Sequence, residues 1–127
     1  MRLWLGIFLV FALCTVASSA AVSVRVVKSA YPVLVSGCSL AGAPSDAGTP
    51  NYYANYSATY KNSGGRAIAT LLVKFTIFSG SKALSSRTLI DARALAPGAT
   101  ATGQWSVVGY PTGFDSATCT ISAVRYQ

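Results

Sequence analysis

Residues 51–61 read Asn-Tyr-Tyr-Ala-Asn-Tyr-Ser-Ala-Thr-Tyr-Lys, and this stretch decides the fold class. Tyr52, Ala54, Tyr56, Ala58 and Tyr60 fall on one side of an extended chain; Tyr53, Asn55, Ser57, Thr59 and Lys61 fall on the other. Side chains alternate between the two faces of a strand, so an apolar row set against a polar row specifies a half-buried β-strand. The small Ala54 and Ala58 between tyrosines suit close packing against a second sheet. That places the Tyr52, Tyr56 and Tyr60 row in the core and leaves Tyr53 outside.

The same texture extends in both directions. Asn62-Ser63-Gly64-Gly65 makes a turn, with glycines available for positive φ. The spacing then predicts a strand over 67–78, with Leu71, Val73, Phe75 and Ile77 opposite Thr70, Lys74 and Thr76. Ser79-Gly80-Ser81 turns again, and a weaker strand follows over 84–90. Leu95-Ala96-Pro97-Gly98 leads into a strand at 99–108, with Trp105 and Val107 opposite Gln104 and Ser106. A last strand at 117–126 aligns Ala117, Cys119, Ile121 and Ala123. Towards the N-terminus, strands are expected at 22–28 and 31–35, followed by a mobile polar loop over 39–50, Ser-Leu-Ala-Gly-Ala-Pro-Ser-Asp-Ala-Gly-Thr-Pro. About seven short strands between turn residues specify an all-β domain, an immunoglobulin-like antiparallel β-sandwich. Trp105 falls too late in the chain for the Cys…Trp…Cys core of antibody domains.

The first twenty residues, MRLWLGIFLVFALCTVASSA, have a different character. Arg2 precedes an apolar run from Leu3 to Val16, and small residues Ala17-Ser18-Ser19-Ala20-Ala21 follow. Charge, apolar core and small-residue exit are the parts of a secretory signal peptide. Cleavage after Ala20, or after Ala21, divides the chain into a signal helix at 1–20 and one domain at 21–127. The alternative is a retained single-span anchor displaying the same domain: no charge interrupts Leu3 to Val24, about the roughly 20 apolar residues a bilayer span needs. The strongly apolar part is shorter than that, and it favours cleavage.

The cysteines agree with export. Removing the signal takes Cys14 and leaves Cys38 and Cys119, an isolated pair that reads as one disulfide in an oxidising compartment. The chain contains no His, and its three acids are Asp46, Asp91 and Asp115, so the two thiols have no companions for a zinc site, and no metal or cofactor is expected. The mature domain keeps nine basic residues against those three aspartates, a net charge of +6.

Phe75-Thr76-Ile77-Phe78-Ser79 resembles the F-x-L-Y-D signature of FxLYD-type domains, with Ile for Leu, Phe for Tyr and Ser for Asp. The Asn62 and Gly64 turn upstream and the Leu95-Ala96-Pro97-Gly98 turn downstream are similarly placed, and the resemblance covers about residues 55–107. It implies a small β-sandwich carried on exported and envelope proteins, and it brings no catalytic residues with it.

Catalysis finds little to work with. General acid–base chemistry would fall to three aspartates, each at or near a break between strands, where Asp ordinarily shapes a turn. No nucleophile has a base beside it in sequence and no glycine-rich loop matches a phosphate cradle, so a non-catalytic protein is expected. The candidate ligand surface is Tyr53, Lys61, Arg66 and Lys74. Exposed aromatic rings suit sugars, whereas the scattered basic residues suit an anionic envelope polymer or simply keep the domain soluble. Nothing resembles a nucleic-acid module, and after cleavage no membrane segment remains. Asn55-Tyr56-Ser57 is a glycosylation sequon with Asn55 facing outward, an acceptor in a eukaryotic source. The expected protein is a secreted or periplasmic binding or structural module, with another exported protein as a further class of partner and a carbohydrate-binding module as the alternative.

Overall fold

The computed structural model describes residues 20–44, 52–109 and 113–127. The expected signal segment, Asp46, Tyr110 and the Tyr52 side chain lie outside the described residues. The regular elements are all strands: β1 (Ala20–Val26), β2 (Val33–Pro44), β3 (Tyr52–Asn62), β4 (Ile68–Ser79), β5 (Lys82–Asp91), β6 (Thr100–Val108) and β7 (Ser116–Tyr126). The seven strands expected from alternation are therefore present, with ends displaced by a few residues except at β2.

They form one curled sheet in the order β5-β4-β7-β1-β2-β3-β6. The curl passes through β1. Ala20, Ala21 and Val22 pair antiparallel with β2, whereas Ser23 to Val26 pair with β7 in parallel. This corrects the expectation of a wholly antiparallel sheet. A tight hairpin forces antiparallel pairing, but β1 and β7 are joined through the rest of the domain, so nothing opposes a parallel match.

The curl brings strands that are distant in the sheet face to face. Cys38 of β2 and Cys119 of β7 form the expected disulfide, with Cα atoms 6.6 Å apart. Tyr56 of β3 meets Phe75 of β4 edge to face, ring centroids 5.0 Å apart. The indole N–H of Trp105 on β6 donates to the Ile90 carbonyl on β5 at 2.9 Å. Between these contacts lies the core: Leu40, Ala54, Ala58, Tyr60, Ile68, Leu71, Val73, Phe75 and Ile121 are essentially without solvent exposure. The inward row read from residues 51–61 holds for Ala54, Tyr56, Ala58 and Tyr60, and Tyr53 and Asn55 are exposed.

The loop expected at 39–50 begins later than its composition implies. Residues 39–44 continue β2, pairing with β3 from Ser39↔Ser57 to Pro44↔Tyr52. Small residues there carry little strand preference of their own, but β3 on one side and β1 on the other fix them, so context overrides propensity. Pro44 sits at the strand end, beyond the last β1 partner at Gly42, so its missing N–H leaves no bond to β1 unmade. The β4–β5 connection is a two-residue hairpin in which Gly80 adopts φ of 63°, a conformation that costs glycine nothing.

Asn62 closes the far end of β3. Fully buried, it donates from Nδ2 to the carbonyls of Arg66 at 2.7 Å and Leu95 at 3.0 Å, and its Oδ1 accepts from Gly64 N–H. Three side-chain bonds tie the β3–β4 turn to the segment before β6, so every polar atom of this buried amide is satisfied.

Candidate functional site

The outward face of β5, β4, β7 and β1 is built by alternation against the buried row of Val73, Phe75, Ile77, Ala117 and Cys119. Its cross-strand register sets Arg25 beside Thr118, Thr118 beside Thr76, and Thr76 beside Ser86. The neighbouring row runs Thr120, Lys74, Thr88. The result is a hydroxyl-rich face carrying three exposed cations: Arg25 and Lys74, whose Cα atoms lie about 12 Å apart at ordinary strand spacing, and Arg125 of β7, beside Thr70 of β4. A cleft of about 430 Å³ borders Arg25, with Ser23, Ser116 and Thr118 among its walls.

Among the described residues, neither aspartate forms an ion pair with these cations. Asp91 ends β5 buried, where it accepts from the Tyr60 hydroxyl and pairs with the Arg93 guanidinium at 2.7 Å. Arg93 also donates its Nε to Asp91 Oδ1 at 2.9 Å and reaches the Thr102 carbonyl on β6 at 2.8 Å. The bonds from Arg93 hold the Asp91 carboxyl at about 2, below the usual aspartate range, against the opposing effect of burial. Burial first, and the Asp91 hydrogen bond and charge next, push the Tyr60 phenol well above the ordinary tyrosine value. Asp115 is occupied too, since its carboxylate accepts from the Gly80 N–H at 3.0 Å. Arg93 is the one cation in an ion pair among the described residues.

The four residues read from the sequence as a ligand surface do not converge. Tyr53 and Lys61 stand near opposite ends of the outward face of β3, about 26 Å apart along the strand. Lys74 lies on the outward face of β4, on the other half of the curl. Arg66, in the β3–β4 turn, lies over the Tyr126 ring at 4.5 Å, a cation–π contact. Asn55 is exposed and accepts from Ser106 Oγ at 2.6 Å, in a groove of about 580 Å³ between β2, β3 and β6. Arg25 was legible only as one of many scattered basic residues. Its place beside Thr118 depends on a parallel pairing that alternation does not reveal.

Comparison with known proteins finds no matching family model, no matching curated protein and no matching solved structure. Among the described residues, no group of three His, Cys, Asp or Glu side chains is placed to hold a metal ion. The Cys38–Cys119 bond itself points to an oxidising, non-cytosolic compartment.

Proposed function

We propose that this protein is an exported, non-catalytic module, an immunoglobulin-like sandwich of FxLYD-like type, that binds an anionic polymer of the cell envelope. The polymer lies along the outward face of β4, β7 and β1. One observation carries this reading: among the described residues Asp91 and Asp115 both have partners of their own, while Arg25 and Lys74 stand exposed on a hydroxyl-rich face and enter no ion pair. Flanking hydroxyls from Thr118, Thr120 and Thr76 supply hydrogen bonds to sugar or phosphate oxygens, and the cations supply attraction that weakens with salt. Signal cleavage after Ala20 or Ala21 releases the domain and leaves β1 with the residues that pair to β7.

The test is retention on envelope material from the source at low and physiological salt. The expected result is retention that falls steeply with salt and drops in the Arg25→Gln/Lys74→Gln double variant. Equal retention of that variant overturns the assignment of the face.

A second reading has its own support. The groove beside Asn55 is lined by Ser57, Gln104 and Ser106, uncharged hydrogen-bonding groups of the kind that hold sugars, and the exposed Tyr53 stands on the same face. Saccharide binding that survives salt and is lost in Tyr53→Ala would favour a carbohydrate-binding module.

A further inference from the structure

Arg87 occupies an unusual position for a cation. Its cross-strand partner is the buried Phe75, and two and four residues on along β5 lie Leu89 and Asp91, both buried, so alternation points Arg87 towards the inside of the curl. It is nevertheless exposed, and it has no ionic or hydrogen-bonding partner among the described residues. The reason lies in how β5 and β6 meet. They are latched at one end, where Trp105 donates to the Ile90 carbonyl and Arg93 to the Thr102 carbonyl. Away from that latch the strands leave a cleft of about 380 Å³. Its lining includes the edge-to-face pair Tyr56 and Phe75, then Ile77 and Val108, with Ser85 and Arg87 on the β5 side.

We infer that this cleft binds a single-chain amphiphile with a carboxylate head, a fatty acid or a molecule of that shape. The apolar chain lies along Tyr56, Phe75, Ile77 and Val108, and the carboxylate meets the Arg87 guanidinium. Three features support the assignment. The volume falls in the range of small-molecule sites, about 300–1,000 Å³. One wall is apolar and the other, Ser85, Ser86 and Arg87, is polar, so the cleft offers both a surface for a chain and groups that fix the orientation of a head. A planar guanidinium matches a carboxylate through two parallel hydrogen bonds, and with no second cation lining the cleft a monoanion is the balanced ligand. The competing use of an inward charge on an edge strand is to block pairing with a second sheet. That use predicts no ligand.

The test is isothermal titration of the disulfide-bonded protein with decanoate below its micelle-forming concentration, with acetate and decyltrimethylammonium as head-only and charge-reversed controls. Decanoate is expected to bind one to one and both controls to fail. Arg87→Gln, a change at an exposed side chain that leaves the fold intact, should weaken decanoate by about tenfold or more, as loss of a charge-assisted bond requires. Lys82→Gln removes the same charge from the exposed hairpin end of β5, about 17 Å along the strand from Arg87, and should leave decanoate binding within about twofold, because exposed charges more than a Debye length away are screened. Absence of decanoate binding overturns the inference. So does equal weakening by both variants, which would reveal attraction to net charge alone, or decyltrimethylammonium binding as tightly as decanoate. An Arg87→Gln protein that self-associates without any decanoate binding by the parent assigns Arg87 to edge protection instead.

Discussion

The Tyr60 hydroxyl on β3 donates to the Asp91 carboxylate at the end of β5, joining strands that are not neighbours in the sheet. Arg93 completes the link by bonding Asp91 on one side and the Thr102 carbonyl of β6 on the other. A phenol, a carboxylate and a guanidinium thus close the end of the curl where β5 and β6 meet. Buried polar groups of this kind are favourable only when each has its partner, and here each does. The cluster holds together the two sheet edges whose separation further along opens the Arg87 cleft.

Replacing Tyr60 by Phe keeps the ring and removes the donor. Asp91 then keeps Arg93 but loses one bond in a buried setting, which costs about 1–3 kcal/mol. Urea denaturation should show a lowered midpoint with an unchanged slope. A midpoint equal to the parent's would mean that the bond contributes nothing.

The same cluster makes stability depend on pH at both extremes. Asp91 has a folded-state value of about 2, below that of an unfolded aspartate, so the unfolded chain takes up the proton first as pH falls. Its contribution is fully present above pH about 4 and is lost as pH drops towards about 2. The loss is on the order of 1–2 kcal/mol, after allowance for the solvent around the exposed Arg93. Tyr60 acts with the opposite sign. Its raised value keeps the folded form protonated where the unfolded chain has already ionised, so stability falls from about pH 10 upward. Denaturation across pH should show both limbs, and Tyr60→Phe should flatten the alkaline one.

Which parts of this were legible in the sequence follows from the range of the interactions. The inward row at Ala54, Tyr56, Ala58 and Tyr60 is a local alternation, and it was read directly. Asp91 looked like a turn residue, and it is one, because its Oδ1 accepts from the Arg93 N–H. Its bond to Tyr60 spans 31 residues and left no local trace. One signal was available: a tyrosine on a buried row needs a partner for its hydroxyl, and the chain has only three acids to offer. Residues 39–44 were misread because Ala41, Gly42, Ala43 and Pro44 take their extended form from β1 and β3 rather than from their own preference. Arg87 was readable in part, since a strand over 84–90 puts it in phase with Leu89, but the cleft it borders depends on the curl.

The Cys38–Cys119 bond closes a loop of 81 residues. Chain-entropy reasoning assigns such a loop about 4.5 kcal/mol, and measured losses for small exported domains run about 2–5 kcal/mol. The Cys38→Ala/Cys119→Ala variant should therefore melt far below the parent, and reduction of the parent should add the mass of two hydrogens. Cys38 and Cys119 that react with an alkylating reagent without reduction would mean that the bond is absent from the protein.

Gly103 sits on the inward face of β6 and is buried. A Cβ added there would collide with the Trp105 ring and lie 2.6 Å from the Tyr60 hydroxyl oxygen, so either the indole or the Tyr60–Asp91 bond must move. Overpacking of this kind costs about 1–3 kcal/mol, and Gly103→Ala should also loosen the Trp105 bond to the Ile90 carbonyl, visible as a shift in indole fluorescence. Gly37→Ala is the matched control, because a new Cβ there meets no atom within 4 Å, and its melting point should stay near the parent's. Trimming the ring in Gly103→Ala/Trp105→Ala should cost less than the two single changes added together, by about 1 kcal/mol, the coupling expected of residues in contact. Strict additivity would show that the collision is relieved elsewhere and that the indole does not determine the choice of glycine.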